Sequence, residues 1–99
     1  RVTYSGEFRD LPVESRRLIV AWAEAMNVPR APGDFRREVK VREAGVDYWG
    51  PVQEVLVPAM RRELQPGEEI ELFTIYIGQV DGRHIFLVNE FGHEASHPH

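Results

Sequence analysis

The densest run of apolar positions lies between Glu69 and Phe91, Glu-Ile-Glu-Leu-Phe-Thr-Ile-Tyr-Ile-Gly-Gln-Val-Asp-Gly-Arg-His-Ile-Phe-Leu-Val-Asn-Glu-Phe. β-Branched and aromatic residues dominate it, and Asp81-Gly82 is the dipeptide of a tight type I′ turn, so the stretch predicts a β-hairpin. A two-residue turn there sets the register. Ile77 falls opposite Phe86, Ile75 opposite Val88, Phe73 opposite Glu90 and Gln79 opposite His84 on one face. Tyr76 falls opposite Leu87, Thr74 opposite Asn89 and Leu72 opposite Phe91 on the other. Both faces are then largely apolar, whereas a sheet with one wet side carries polar residues along it. Each face needs a cover, from a helix, a curled sheet, a ligand or another subunit. Gly78 fits a bulge or sharp bend that would promote curling.

A second alternation runs from Phe35 to Trp49, with Val39 and Val41 between charged residues. Ala44-Gly45 supplies the turn of a first hairpin. Arg42 then faces Asp47 and Lys40 faces Trp49, two favourable cross-strand pairs. Val39, Val41, Val46 and Tyr48 share the other face.

Helical spacing appears twice. Leu11, Leu18, Trp22, Ala25 and Met26, with Ile19 beside them, predict a helix over 11–26. Asp10 is its cap, Pro12 and Glu14 lie in its first turn, and Asn27-Val28-Pro29 ends it. Pro29–Asp34 reads as a loop. Val52, Val55, Leu56, Ala59, Met60 and Leu64 predict a second helix after Gly50-Pro51, with a defect before Pro58, which cannot take an interior helical bond. A helix regular only over 58–64, with Pro58 in its first turn, is the alternative. Residues 1–9 show no period and read as a lead-in or short edge strand.

These elements predict an α+β domain over residues 1–92: an antiparallel sheet of two hairpins, an N-terminal helix and a helix between the hairpins. Two apolar hairpin faces favour a bent sheet, toward a partly closed barrel of the OB or SH3 kind. A flat sheet with both helices on one side would instead need a homodimer partner on its second face. Residues 93–99 read as a flexible His-containing tail.

Ninety-nine residues suffice for one core, and no apolar run reaches membrane-spanning length. Without cysteine there is neither disulfide nor thiolate chemistry. A chain that starts at Arg1 rather than Met fits a processed or trimmed fragment of a soluble protein: removal of a signal peptide would make it secreted or periplasmic, whereas a trimmed boundary, like the absence of cysteine, leaves the compartment open. The net charge is −4, and residues 1–50 hold nine Lys/Arg against eight Asp/Glu, while residues 51–99 hold three against eight. Arg30, Arg36, Arg37, Lys40 and Arg42 form the sole basic stretch, diluted by Asp34 and Glu38, which argues against nucleic acid as a partner.

Candidate chemistry is sparse. His93-Glu94-Ala95-Ser96-His97 satisfies H-E-x-x-H, but it follows a strand, begins after Gly92 and is cut off by Pro98, so no zinc-binding helix is expected. His93, His97 and His99 are adventitious metal ligands at most, and no cofactor is expected. Thr74 and Asn89 place a polar pair in an apolar hairpin face beside Tyr76, either as a hydrogen-bonded pair or as the polar groups of a ligand pocket. Tyr48 and Trp49 point to opposite faces of a strand; an outward Trp49 would stack on a ligand, an inward one would pack under a helix. His84 and Glu90 are the acid–base side chains for a metal-assisted hydrolase, although the register separates them along the hairpin.

Tyr48-Trp49-x-Pro51-Val52-Gln53, Pro58, Gly67, Ile77-Gly78 and Phe86-Leu87-Val88-Asn89-Glu90-Phe91 together resemble a group of small uncharacterised bacterial proteins, over residues 37–91. The resemblance implies that the hairpin–helix–hairpin unit recurs, and it brings no catalytic residues. The expectation is a non-enzymatic binding or accessory domain using an aromatic-lined sheet surface around Trp49, Thr74, Tyr76 and Asn89, for a small molecule, peptide or protein. The alternatives are a metal-assisted hydrolase and a self-associating structural module.

Overall fold

The computed structural model describes residues 1–93. Five strands and three helices follow one another as β1 (Val2–Asp10), α1 (Val13–Ala25), α2 (Ala31–Asp34), β2 (Phe35–Glu43), β3 (Val46–Gln53), α3 (Leu56–Glu63), β4 (Glu69–Val80) and β5 (Arg83–His93). The strands close into a ring in the order β1-β2-β3-β5-β4. Its seams are uneven. β1 meets β4 only at Val2–Ile70 and Thr3–Glu69, and β3 meets β5, in parallel, at Val52–Val88.

The stretch without a visible period is therefore a nine-residue strand. Its pairing with β2 shifts between Tyr4 and Phe8, and Gly6 sits at φ 79° inside the irregularity. A bulge spoils the two-residue period, which is why the alternation is missing from residues 1–9. Tyr4 and Phe8 still meet edge to face, with centroids 6.2 Å apart.

β2 and β3 take the register expected of an Ala44-Gly45 turn, with Arg42 opposite Asp47 and Lys40 opposite Trp49. Ala44 and Gly45 both have positive φ, 52° and 79°, as a type I′ turn requires. Val39 and Val41 face the core as expected, but Val46 and Tyr48 on the same face are exposed.

Gly50-Pro51 does not end β3, which continues to Gln53. The second helix is confined to Leu56–Glu63, with Pro58 in its first turn, where its missing N–H breaks no helical bond. Val57 and Met60 of α3, with Leu64 just after it, enter a core of Tyr4, Val39, Val41, Val52, Ile70 and Val88 inside the ring. α3 thus plugs one end of the ring.

α1 lies outside. Ile19 joins Leu11, Phe35 and Leu87, with Trp22 and Ile77 packed against them. The buried stripe of α1 is Ser15, Ile19 and Ala23, while Met26 is 61% exposed, so the helix is turned by about one position from the expected Leu18–Trp22–Met26 face. Asp10 ends β1 rather than capping α1, and Pro29–Asp34 contains the single turn of α2.

β4 and β5 correct the expected register in their middle. Gln79–His84 near the turn, and Phe73–Glu90 and Leu72–Phe91 near the far end, pair as expected. Between them Tyr76 pairs with Phe86, Ile75 with Leu87 and Thr74 with Val88. Ile77 is an extra residue on β4 and Asn89 an extra residue on β5, so two bulges displace the register by one and then restore it. Gly78, at φ 137°, adjoins the first bulge, and a Cβ there would stand 3.4 Å from Leu18 of α1.

The two hairpin faces receive different covers. α1 takes the Ile77, Ile85 and Leu87 side, and the ring interior takes Ile70, Leu72 and Val88. Phe73, Ile75, Tyr76 and Phe86 are left exposed. No helix among the described residues is long and apolar enough to cross a membrane.

Candidate functional site

At the end of the ring away from α3 the interior opens as a cleft of about 700 Å³. Strand alternation builds it. Val39 and Val41 of β2 and Val88 of β5 point inward and form its floor, while Tyr48 and Trp49 of β3, Thr74 of β4, and His84 and Phe86 of β5 stand around it. Gly50 lets β5 approach β3 at the inner limit of the cleft, since a Cβ there would lie 3.2 Å from the Phe86 carbonyl oxygen. Beyond Gly50 the two strands carry the aromatic walls.

The bulge at Ile77 puts Tyr76 directly across from Phe86, with ring centroids 5.2 Å apart. Tyr76 also reaches His84: its hydroxyl lies 2.9 Å from Nδ1, and the rings are 5.5 Å apart. The hydrogen bond fixes the imidazole plane and leaves Nε2 for another partner. Tyr48 and Phe86, which line the cleft, are 49% and 44% exposed, and Tyr76, packed on Phe86, is 49% exposed.

Trp49 and Thr74 both border the cleft, Trp49 from the face of β3 opposite Tyr48, and Tyr76 packs on Phe86 of its β5 wall. Asn89 does not join them. As the bulge residue of β5 it turns to the other side, where its Oδ1 accepts a hydrogen bond from Gln53 Nε2 at 2.5 Å. The expected Thr74–Asn89 pair does not form. Asn89 instead edges a shallower groove of about 420 Å³ between the α1–α2 connection and the outer faces of β4 and β5, with Trp22, Pro29, Ile75 and Leu87.

Trp49 is half-buried, and the cation over its ring is Arg9, at 4.1 Å, rather than the Lys40 expected from the hairpin alone. Arg9 Nε also donates to Glu38 Oε1, whose side chain is fully buried. Lys40 reaches Glu7 at 3.4 Å and Asp47 at 3.7 Å, Arg42 pairs with Asp47 at 2.8 Å, and Arg37 pairs with Glu54 at 2.8 Å. Three of the five residues of the basic stretch are therefore tied to carboxylates. The Arg42 hydrogen bond and charge hold the Asp47 carboxyl below its ordinary range. Burial pushes the Tyr4 hydroxyl up, against a smaller opposing pull from Arg61.

His84 faces the cleft, whereas Glu90 lies opposite Phe73 on the outer side of the hairpin, so the two do not converge. Among the described residues no three His, Asp or Glu side chains are grouped to hold a metal ion. His97 and His99, the body of the H-E-x-x-H pattern and the His93 side chain fall outside what is described.

Tyr48, Phe86 and the Tyr76–His84 contact are the parts of the site that the sequence reading missed. Gly78 was the available signal, since a bulge beside it shifts Tyr76 onto Phe86. Comparison with known protein families, curated proteins and solved structures gives no match for this chain.

Proposed function

We propose that this domain is a non-enzymatic binding module that holds a ligand by a planar or apolar ring face in the mouth of its barrel. The observation that carries the reading is the pair of exposed rings, Tyr48 and Phe86, at one concave opening with an apolar floor, with the exposed Tyr76 ring packed on Phe86. Leaving such rings in water is unfavourable, and a ligand that covers them recovers the burial. Thr74 and His84 provide the few polar groups that orient a ligand in an apolar site.

The barrel reads best as the OB kind. Strand order β1-β2-β3-β5-β4, a parallel β3–β5 contact and a helix between β3 and β4 at one end of the ring support this. Barrels of that kind bind along strands 2 and 3 and the loop between strands 4 and 5. Here those parts supply Val39, Val41, Tyr48, Trp49 and Gly82 to the cleft. This support is analogy at the level of fold, and the exposed rings stand without it.

Trp49 is a built-in reporter. In a Trp22→Phe background it is the sole tryptophan, and its fluorescence is titrated with adenosine, maltose and a Gly-Phe-Gly peptide as probes of three ring chemistries. The expected result is a saturable change with at least one probe. Stacking on one aromatic side chain contributes about 1–3 kcal/mol, so Phe86→Ala weakens that probe about fivefold or more. No saturable change with any probe, or full affinity retained in both Phe86→Ala and Tyr48→Ala, overturns the proposal.

A further inference from the structure

We infer that the free edge of β4, with the outer face beside it, docks an extended basic segment of a partner protein, which adds to the sheet as another strand. The first support is the incomplete ladder. β4 pairs with β5 along one side, but on the other β1 covers only Ile70 and Glu69. From Leu72 onward that edge of β4 pairs with no strand among the described residues. Its outward amide and carbonyl groups form a ready template for a strand.

The second support is exposure on both faces at once. Phe73, Thr74, Ile75 and Tyr76 are four successive exposed residues in the middle of a twelve-residue strand. A strand that meets only solvent at its edge is usually blunted by lysine, proline or a bulge. Between Leu72 and Tyr76 β4 itself carries none of these: the register shift between Phe73 and Thr74 is taken up by the extra residue Asn89 on β5, and the bulge of β4 comes afterwards, at Ile77. The open lane is thus about five residues long, bounded by β1 at one end and the bulge at the other.

The third support is charge. Glu69, Glu71, Phe73 and Ile75 alternate onto the outer face, and Glu90 lies directly across from Phe73. These three carboxylates form no ion pair among the described residues. A strand laid along the edge would place every second side chain on that face, beside Glu71, Phe73 and Ile75, with Glu90 one strand further on, about 10 Å away. The complementary sequence therefore carries lysine or arginine at the first two of these positions and an aliphatic residue at the third: one cation meets Glu71, the next extends across the Phe73 ring to Glu90, and the aliphatic group meets Ile75. Backbone bonds would supply affinity, and the charges would select the partner. Thr74 and Tyr76 point to the opposite, cleft-side face, so strand addition leaves the mouth of the barrel open.

The probe is an acetylated and amidated peptide, Lys-Thr-Lys-Thr-Val, labelled for fluorescence anisotropy and titrated into the full chain. Controls are the same peptide with Glu in place of Lys, and its fully N-methylated counterpart. The expected result is saturable binding of the basic peptide that weakens with salt. It should slow hydrogen exchange at backbone amides between Leu72 and Tyr76, with at least tenfold weaker binding of either control. Glu71→Lys with Glu90→Lys should weaken the basic peptide about tenfold, and Glu71→Gln with Glu90→Gln gives the same direction if the charge reversal disturbs folding.

Equal binding of the acidic or N-methylated peptide overturns the inference, as does binding without protection of those amides. So does a stable dimer by light scattering in which the β4 amides are already protected, because a second copy then fills the lane. Phe86→Ala separates the two sites: it should weaken the cleft probes and leave the basic peptide unaffected.

Discussion

Replacing Arg9 with methionine should cost far more than the loss of an ordinary surface ion pair. Arg9 and Glu38 are direct cross-strand partners on β1 and β2. The Glu38 side chain is completely buried, that of Arg9 is 43% exposed, and Glu38 Oε2 has no hydrogen-bond partner of its own. In Arg9→Met the carboxylate would stay buried without its one donor. Breaking a buried pair from one side costs about 3–5 kcal/mol. Arg9 is partly in water, which screens the attraction and places the cost at the lower end, while loss of the cation over Trp49 adds about 0.5–1 kcal/mol. A total of about 3.5–4 kcal/mol is a large share of the roughly 5–15 kcal/mol that holds a small domain together. With a urea slope of about 1 kcal/mol per molar, the unfolding midpoint should fall by about 3.5–4 M, followed by far-UV circular dichroism and tryptophan fluorescence together. Glu38→Gln, made in the Arg9→Met protein, should restore part of the loss because the stranded group no longer carries charge. A cost below about 1 kcal/mol, the range of exposed pairs, would refute the reasoning, as would the absence of any recovery from Glu38→Gln.

Two further outcomes follow from the geometry. The Tyr4 hydroxyl titrates above its ordinary value of 10.0 because folding buries it; its stabilising contribution is therefore complete below about pH 10 and is lost as pH rises through the folded-state value. Stability measured from pH 9 to 11.5 should fall more steeply in the native protein than in Tyr4→Phe, and identical slopes would show that Tyr4 is not responsible. At Gly78 a methyl group would meet Leu18 at an ordinary 3.4 Å, so the penalty for Gly78→Ala comes from the backbone at φ 137°. About 1–3 kcal/mol is expected, read as a drop in thermal midpoint, and an unchanged midpoint would mean that the β4 bulge relaxes freely.

Much of the candidate site could be read from the chain, though not its assembly. Trp49, Thr74 and Tyr76 were recognisable as aromatic and polar residues on strands of fixed alternation, and two of them line the same cleft. Asn89 was misplaced because its partner was deduced from the turn at Asp81-Gly82 by counting. Counting fails where a strand carries an extra residue, and this hairpin carries two that cancel, so both of its ends agree with the count while its middle does not. Arg9 above Trp49 was out of reach for a different reason: it comes from β1, whose own irregularity at Gly6 hides it as a strand.

By itself the sequence determined what depends on neighbours in the chain. The Ala44-Gly45 and Asp81-Gly82 turns, the Arg42–Asp47 register and the breaks around the first helix follow from backbone preferences and side-chain period, which act over a few residues. Tertiary structure alone decided which helix face was buried, that residues 1–10 complete a five-stranded ring, and that β5 bulges at Asn89 while β4 bulges at Ile77. Those choices come from competition between distant surfaces for the same apolar hairpin: α1 claims one face, the ring interior claims part of the other, and the bulges let a single hairpin serve both. The residues left over from that competition, Tyr76 and Phe86 at the cleft and Phe73 and Ile75 on the outer face, are where binding is proposed.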